Sequence, residues 1–347
     1  MHKSARFLAL TSAAILALAP AAGAQQCQPP AGQAYELALS SSPGANLKTA
    51  AFKTRITVNG QQREVLIDTG SSAINVPAAL LQGVTPAVTG VYYSYVSSGR
   101  IYKGNWYLVK VTLPTIGATP GLSTDTLAVF GTTDTCSGTL EAPTDCLKLD
   151  PSDPLGMMGV SYNPYSLPTQ VQGNPTNAFL ALPATAANPG YVITASRVWL
   201  GIDGRTTGQF GQLPVTADKS GRLSPSGCIS YTVGGNTGAP LCGTLLMDTG
   251  INHLYLTMPP NSCPPKSAVA VQVTAPDPAG AVLNWSYAAN FGQATTSAAG
   301  SSGDNCVQET GTGGTNHTNT GRMVLAQYDY LYDGTCKAVG FRPVKPQ

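Results

Sequence analysis

The sequence predicts an all-β protein built from two related lobes. Its 38 glycines and 27 prolines separate short runs of alternating apolar residues, a composition typical of many short strands joined by tight turns. The segment around Asp68 is similar to the segment around Asp248, which indicates that one lobe was duplicated. Without a leader, roughly 320 residues remain, enough for two lobes with separate cores.

The first 24 residues have the features of a secretory signal peptide. Basic residues precede the apolar run FLALTSAAILALAPAA, and Ala22-Gly23-Ala24 provides the small residues of a cleavage site. We therefore expect an exported chain that begins near Gln25 and resides in the periplasm or the medium. Gln26 before Cys27 does not fit a lipoprotein site, and no later segment reaches the length of about 18 apolar residues that a membrane span needs.

All eight cysteines lie beyond the predicted cleavage point, and an even number in an exported chain indicates disulfides. Cys136 with Cys146 would close a short loop, and Cys228 with Cys242 would join segments that approach Asp248. Because eight cysteines allow about 105 pairings, both pairs are hypotheses.

Composition disfavours several function classes. Charged residues make up 10% of the chain, the formal net charge is +2 and no Lys/Arg cluster occurs, which disfavours nucleic-acid binding. No CxxC pair is present and only His253 and His317 follow the leader, so we expect no metal and a structural role for His253. The absence of a Gly-x-Ser-x-Gly motif disfavours a Ser-His-Asp hydrolase.

Asp68 is the first candidate site residue, within the segment VLIDTGSSAINVP (65–77). Three aliphatic residues before it predict a buried strand that delivers the acid to a fixed position. Gly70 permits a tight turn that brings backbone N–H groups and the hydroxyls of Thr69, Ser71 and Ser72 near the carboxylate. We therefore expect a positioned, hydrogen-bonded acid.

The pattern recurs in LLMDTGINHLYLT (245–257), where Thr249 and Gly250 follow Asp248. The two acids are too far apart in sequence for a solenoid repeat, so the duplication involves a whole lobe. We place the lobe boundary near residue 195, with an N-terminal lobe of residues 25–195 and a C-terminal lobe of residues 196–347.

Three further segments have a predicted structure. The alternation in residues 90–113 predicts a hairpin with Ser-Ser-Gly-Arg at its tip. Gly156–Val160 is a short apolar segment bounded by glycines, which predicts a buried strand close to other backbone. Residues 296–320 are rich in Gly, Thr, Ser and Asn and are predicted to form a loop, and the GTGG within them lacks the spacing of a dinucleotide site.

Taken together, these segments resemble the pepsin-like aspartic peptidases, whose fold is bilobal, with two β-barrel-like lobes and a central cleft. Residues 68–72 with 76–77 match the N-lobe catalytic loop, and residues 248–250 match the C-lobe loop. Residues 157–159 resemble the hydrophobic-hydrophobic-Gly element behind the first aspartate. The ending, residues 321–343, follows the C-terminal segment of the family almost without gaps.

The resemblance implies an aspartic endopeptidase that cleaves polypeptides at acidic pH as a monomer, without a cofactor. Ionising both of two carboxyl groups about 3 Å apart is energetically unfavourable because the charges repel, so Asp68 and Asp248 would share one proton. The ionised acid would take a proton from the attacking water while the protonated acid supports the peptide carbonyl. Which acid holds the proton stays open, since a coupled pair titrates as a unit.

The family also assigns supporting roles. Thr69 and Thr249 would hydrogen-bond across to the opposite loop. Tyr95 would be the tyrosine of a flap that closes over substrate and excludes water, with Tyr93 and Tyr102 as alternatives because the register of the hairpin is open.

The sequence departs from the family in several places. Ile251 and Asn252 stand where the family has Thr or Ser, and losing a hydroxyl beside the second acid predicts a higher apparent pKa for one step of the dyad. Asn75 replaces the tryptophan that partners the flap tyrosine. Residues 319–321 occupy the position of the second apolar-apolar-Gly element, and Arg322 follows where the family often has an acid.

Two further expectations follow. The departures leave a second hypothesis, a pepsin-like binding or inhibitor protein without proteolytic activity. About 20 residues separate the predicted cleavage site from the first clear strand, too few for the inhibitory prosegment of secreted eukaryotic members, so we expect a bacterial type exported without a zymogen stage.

Overall fold

The computed structural model describes twelve stretches of the chain. They are residues 33–95, 100–150, 153–154, 156–162, 167–184, 187–204, 208–217, 223–265, 267–277, 280–291, 303–308 and 316–344. The predicted signal peptide (1–24) and the first three residues of the predicted hairpin tip, 97–99, lie outside these stretches.

Strands account for most of the described residues, which confirms the predicted all-β class. In chain order the strands are β1 Tyr35–Glu36, β2 Leu39–Ser41, β3 Lys53–Val58, β4 Gln61–Asp68, β5 Ser72–Pro77, β6 Val88–Tyr95, β7 Arg100–Val109, β8 Val111–Thr115, β9 Ala118–Ser123, β10 Leu127–Gly138, β11 Pro143–Lys148, β12 Met157–Val160, β13 Gly190–Ile193, β14 Val198–Leu200, β15 Gly211–Pro214, β16 Thr216–Ala217, β17 Leu223–Ser224, β18 Ser226–Val233, β19 Asn236–Thr237, β20 Leu241–Leu246, β21 Tyr255–Met258, β22 Ala268–Asp277, β23 Gly280–Asn290, β24 Asn305–Gln308, β25 Asn316–Asn319, β26 Tyr328–Asp333 and β27 Ala338–Pro343.

The described helices are three short 3-10 segments, Ala78–Leu81, Thr169–Val171 and Gly321–Ala326. Within the described part of the chain, no helix has the length and apolar character required to cross a membrane.

The N-terminal half forms an eleven-stranded sheet in the order β6-β7-β10-β5-β12-β4-β3-β8-β9, with β11 on β10 and β2 on β3. Its central strand β5 is buried at all six positions, because β10 and β12 flank it on either side. Strand β4 begins exposed and becomes buried toward Asp68. The predicted aliphatic approach to this acid therefore lies in the core.

The C-terminal half repeats this arrangement in an eight-stranded sheet, β23-β22-β18-β20-β25-β21-β24, with β19 on β18. In the first half, β12 runs parallel to β4 and antiparallel to β5. In the second half, β25 runs parallel to β20 and antiparallel to β21. Each aspartate loop therefore joins two strands that are bridged by a third strand.

A six-stranded sheet, β1-β14-β13-β26-β27-β15, connects the two halves. Strands β1 and β13 precede residue 195, and the other four follow it. The predicted boundary falls between the paired strands β13 and β14, inside this shared sheet. The division into residues 25–195 and 196–347 stays a prediction.

The predicted hairpin of residues 90–113 is present, since β6 pairs with β7 in antiparallel register. The predicted strand at Met157–Val160 is also present, as β12. The loop predicted for residues 296–320 is wrong in part, because β24 and β25 lie within it. Strand β25 reads Asn-His-Thr-Asn and has no apolar alternation, so periodicity could not reveal it.

Both proposed disulfide pairs are confirmed, together with a third. Cys136–Cys146 joins β10 to β11, and Cys228–Cys242 joins β18 to β20 at opposite positions of the ladder. Cys263–Cys306 connects segments 43 residues apart. Cys336 is disulfide-bonded as well.

Candidate active site

Asp68 stands at the end of β4, where the strand turns into the Thr-Gly-Ser segment. The side chain is 7% exposed, so its charge is largely removed from water. The Gly70 N–H donates to Oδ1 at 2.8 Å, and the Ser71 hydroxyl donates to Oδ2 at 2.5 Å. The acid is therefore held by its own turn through Gly70 and Ser71, as the sequence predicts, whereas the Thr69 hydroxyl donates to the Met247 carbonyl instead.

Asp248 occupies the corresponding position two residues after β20 and is 4% exposed. The Gly250 N–H donates to its Oδ1 at 2.8 Å. Its Oδ2 accepts a hydrogen bond of 2.8 Å from the side-chain amide of Asn319. The first contact repeats that of the first loop, whereas the second contact comes from a distant strand.

Thr69 and Thr249 link the two loops. The Thr69 N–H donates to the Thr249 hydroxyl at 3.0 Å, and the Thr249 N–H donates to the Thr69 hydroxyl at 2.9 Å. The Thr69 hydroxyl donates to the Met247 carbonyl at 2.6 Å, and the Thr249 hydroxyl donates to the Ile67 carbonyl at 2.7 Å. Each of these carbonyls belongs to the residue just before the opposite acid. These buried bonds hold the two aspartates at a common level.

The two carboxyl groups are immediate neighbours. A Cβ added to Gly250 would lie 2.6 Å from Asp68 Oδ1, and one added to Gly70 would overlap the carboxyl of Asp248. Burial, followed by the charge of Asp248, raises the pKa of Asp68 well above its usual range. The pair therefore retains a proton to higher pH than an isolated aspartic acid.

The tyrosines of the β6–β7 hairpin form an aromatic cluster on the Asp68 side. The Tyr93 hydroxyl donates to the carbonyl of Ser72 at 2.5 Å. The rings of Tyr93 and Tyr95 pack edge to face, with their centroids 4.9 Å apart. Burial, then Tyr93 and then Asp68, raise the pKa of Tyr95 well above its usual range. Tyr102 on β7 lies opposite Tyr93 on β6, and its ring packs edge to face against that of Tyr95 with a centroid distance of 5.6 Å.

Asn75, which replaces the expected tryptophan, lies fully buried in β5. Its side-chain oxygen accepts a hydrogen bond of 2.6 Å from the Thr132 hydroxyl. The residue thus ties β5 to β10 through side chains as well as through the backbone.

Sequence reasoning missed the role of Asn319, although it identified the segment. Because Ile251 has no hydroxyl, the sequence predicts that Asp248 lacks a hydrogen-bond donor. In the structure the side-chain amide of Asn319 supplies that donor. That reason for a raised pKa in the dyad is therefore wrong. Two features of the sequence could have revealed this role. Asn319 is polar at a position where the family has an apolar residue, and Ile251 lacks the hydroxyl that the family has in the second loop.

Arg322 is a second unforeseen neighbour, buried behind the second loop at 5% exposure. It donates to the Leu47 carbonyl at 2.7 Å and to the Thr249 carbonyl at 3.2 Å. Burial lowers the pKa of Arg322, and the charge of Asp248 acts against that shift. A guanidinium group therefore lies on the Asp248 side of the dyad.

No group of three or more metal-ligating side chains occurs among the residues that the structure describes. His253 lies near the second loop, where its Nδ1 is 3.1 Å from the Asn252 side-chain oxygen. Burial lowers the pKa of His253.

Comparison with solved structures identifies the fold. The chain is similar to the crystal structure of an aspartic proteinase from Irpex lacteus, with a TM-score of 0.53 and 13% identity. The match covers 91% of this chain and 98% of that chain. No family model matches the sequence, and a search of curated proteins found no significant relative. At this identity the likeness concerns the fold, which is bilobal and pepsin-like.

Proposed function

We propose that this chain is an aspartic endopeptidase that hydrolyses polypeptides in acid, with Asp68 and Asp248 as its catalytic residues. The observation that carries the proposal is the pairing of two buried carboxyl groups, one in each of two equivalent loops that follow a β-strand. The fold shared with an aspartic proteinase supports the same reading.

The geometry suits a reaction with one shared proton. At intermediate pH one carboxyl group is ionised and takes a proton from the attacking water. The other carboxyl group donates its proton to the carbonyl oxygen of the scissile peptide bond. The raised pKa of Asp68 extends the singly protonated state upward in pH, and activity ends where both groups are protonated or both are ionised.

The surrounding loops have supporting functions in this proposal. Thr69 and Thr249 fix the relative height of the acids, and Gly70 and Gly250 leave room for the opposite carboxyl group. Tyr95, near Asp68 in the β6–β7 hairpin, would belong to a flap that covers the substrate. A covered site excludes water and strengthens the electrostatic interactions within it.

Export is part of the proposal. The bridges of the described chain are typical of an oxidising compartment, and the predicted signal peptide would deliver the chain to the periplasm or the medium. We propose that it acts there as a monomer.

The test is the cleavage of an unfolded protein by the purified mature chain between about pH 2.5 and 7. We expect a bell-shaped profile with an acidic maximum. Asp68→Asn and Asp248→Asn should each lower kcat by about 100- to 10,000-fold. Asp125→Asn is the matched control, because the Asp125 side chain is exposed and lies two residues before β10.

A folded wild-type chain that cleaves nothing across this range would contradict the proposal. It would favour the alternative, a binding or inhibitor protein with a pepsin-like fold. A peptidase should also be blocked by a peptide mimic of the tetrahedral intermediate, since such compounds bind more tightly than substrate.

A further inference from the structure

The two aspartate loops complete their hydrogen bonds in different ways. Three residues after Asp68, the Ser71 hydroxyl contacts Oδ2. Three residues after Asp248 stands Ile251, which has no hydroxyl, and the contact to Oδ2 comes instead from Asn319. The same acceptor atom therefore has a hydroxyl partner in one lobe and an amide partner in the other.

The orientation of the Asn319 amide is determined by its second contact. Its Oδ1 accepts the Gly321 N–H at 2.9 Å. Because a backbone N–H can only donate, this atom must be the amide oxygen, and the NH₂ group must face Asp248. Asn319 is 5% exposed and ends strand β25, in register with Leu246.

An amide NH₂ group and a hydroxyl differ in whether they can hydrogen-bond to a protonated carboxyl oxygen. The NH₂ group only donates, whereas a hydroxyl donates or accepts as it rotates. Both oxygens of Asp248 already accept a hydrogen bond, from Gly250 and Asn319. A proton on either oxygen would face the N–H of a group that only donates, which disfavours protonation of Asp248. On Asp68, Oδ2 faces the Ser71 hydroxyl, which can turn to accept a proton from the acid.

The buried guanidinium of Arg322 also favours an ionised Asp248. The carboxyl of Asp68 faces Asp248 across the site, and the guanidinium of Arg322 lies behind the Asp248 loop. His253 is a further titratable neighbour, and burial lowers its pKa. Positive charge therefore lies on the Asp248 side, and the raised pKa of Asp68 agrees with a proton on the other acid.

We propose that Asn319 is a positioning residue that replaces the missing hydroxyl of the second loop and holds Asp248 as the ionised member of the dyad. The inference rests on the proposed function. The water oxygen bonds to the peptide carbonyl carbon, and its proton passes to Asp248. The proton of Asp68 passes to the carbonyl oxygen, which leaves a neutral tetrahedral diol with Asp68 ionised and Asp248 protonated.

The first experiment compares the pH dependence of kcat for wild type, Asn319→Leu and the double variant Asn319→Leu with Ile251→Thr. Losing a buried hydrogen bond to a charged group should lower kcat about 10- to 100-fold. It should also move the acidic limb upward by about one pH unit, because the carboxylate is less stabilised. KM should change less than about three-fold, since the bond is not made to substrate.

The threonine of the double variant stands where Ser71 stands in the first loop, so its hydroxyl should restore most of kcat by donating to Asp248. Because a hydroxyl can also accept a proton, the acidic limb should return only in part. An Asn319→Leu enzyme with a wild-type acidic limb would overturn the inference. So would a loss of kcat that follows the loss of folded protein and is not recovered by Ile251→Thr, because that pattern indicates a structural role alone.

Ile251→Thr in the wild-type background tests the same point if Asn319→Leu does not fold. Asp248 Oδ2 already has a donor, so kcat should stay within about three-fold of wild type. An increase of about ten-fold or more would show that the second loop lacks a donor and would overturn the inference.

A titration that does not depend on cleavage separates this inference from the proposed function. Carboxyl carbon NMR of ¹³C-aspartate-labelled protein, assigned with Asp68→Asn and Asp248→Asn, reports each protonation state directly. At the pH where the pair holds one proton, we expect a carboxylate shift for Asp248 and a carboxylic acid shift for Asp68. The reverse would overturn the inference, whereas a wild type that titrates as expected without cleaving would contradict only the proposed function.

Discussion

Thr69 and Thr249 show how single side chains can join two halves of a protein. Each hydroxyl accepts the N–H of the other threonine and donates to the carbonyl of the residue just before the opposite acid. Both side chains are at most 1% exposed, so a lost bond cannot be replaced by bulk water. The cost of losing one is the desolvation of the partner left behind.

Thr69→Val should therefore reduce both stability and activity. It leaves the Thr249 N–H and the Met247 carbonyl without their partner, which should lower the free energy of unfolding by about 1–3 kcal/mol per buried group. Denaturant unfolding measures the loss. Thr69→Ser is the control, since it keeps the hydroxyl, and equal stability of the Val and Ser variants would contradict the prediction.

Strand β12 illustrates what the close packing behind the first loop requires. Gly159 lies opposite Asp68 on β4 and opposite Ala73 on β5. A Cβ at this position would lie 2.5 Å from the Ser72 carbonyl carbon and 2.6 Å from its nitrogen. Since these atoms are backbone, no side-chain movement can relieve the contact.

Gly159→Ala should therefore displace the first aspartate loop. We expect a destabilisation of about 1–3 kcal/mol, the range typical of overpacking, and a larger fall in kcat than in the folded fraction. Thermal unfolding and peptide cleavage measure the two effects. Gly204→Ala is the matched control because a Cβ there meets nothing within 4 Å, and similar losses in both variants would argue against the packing account.

The dyad also influences the stability of the complete protein. Burial and the neighbouring carboxyl raise the pKa of Asp68, and burial raises that of Asp333. Unfolded aspartic acid titrates near about pH 3.9, so the folded state binds more protons above that pH. This contribution to stability is fully present below the unfolded pKa and is lost as pH rises through the raised folded values.

We therefore expect the melting temperature to fall as pH rises from about 4 to 7. Glu64 opposes this trend, since a hydrogen bond from Ser40 lowers its pKa, but its exposed position makes that effect small. Asp68→Asn should flatten the dependence and raise the melting temperature near pH 7, because it removes the repulsion between the acids. Calorimetry checks this, with Asp125→Asn as control; an unchanged slope in Asp68→Asn would contradict it.

Several features of the fold and site could be predicted from the sequence because they are local. The aliphatic runs before Asp68 and Asp248 and the glycine of each turn specify a strand that leads into an acid at a tight turn. The alternation in residues 90–113 specifies a hairpin. The close spacing of Cys136 and Cys146 suggested their pairing.

Other features depend on contacts between distant segments, which no local pattern encodes. Asn319 lies 71 residues from Asp248 in a polar strand without apolar alternation. Only the register of β25 against β20 brings its amide to the carboxylate. Arg322 likewise reaches the second loop through the backbone carbonyls of Leu47 and Thr249, because carbonyl acceptors carry no side-chain identity that a sequence could reveal.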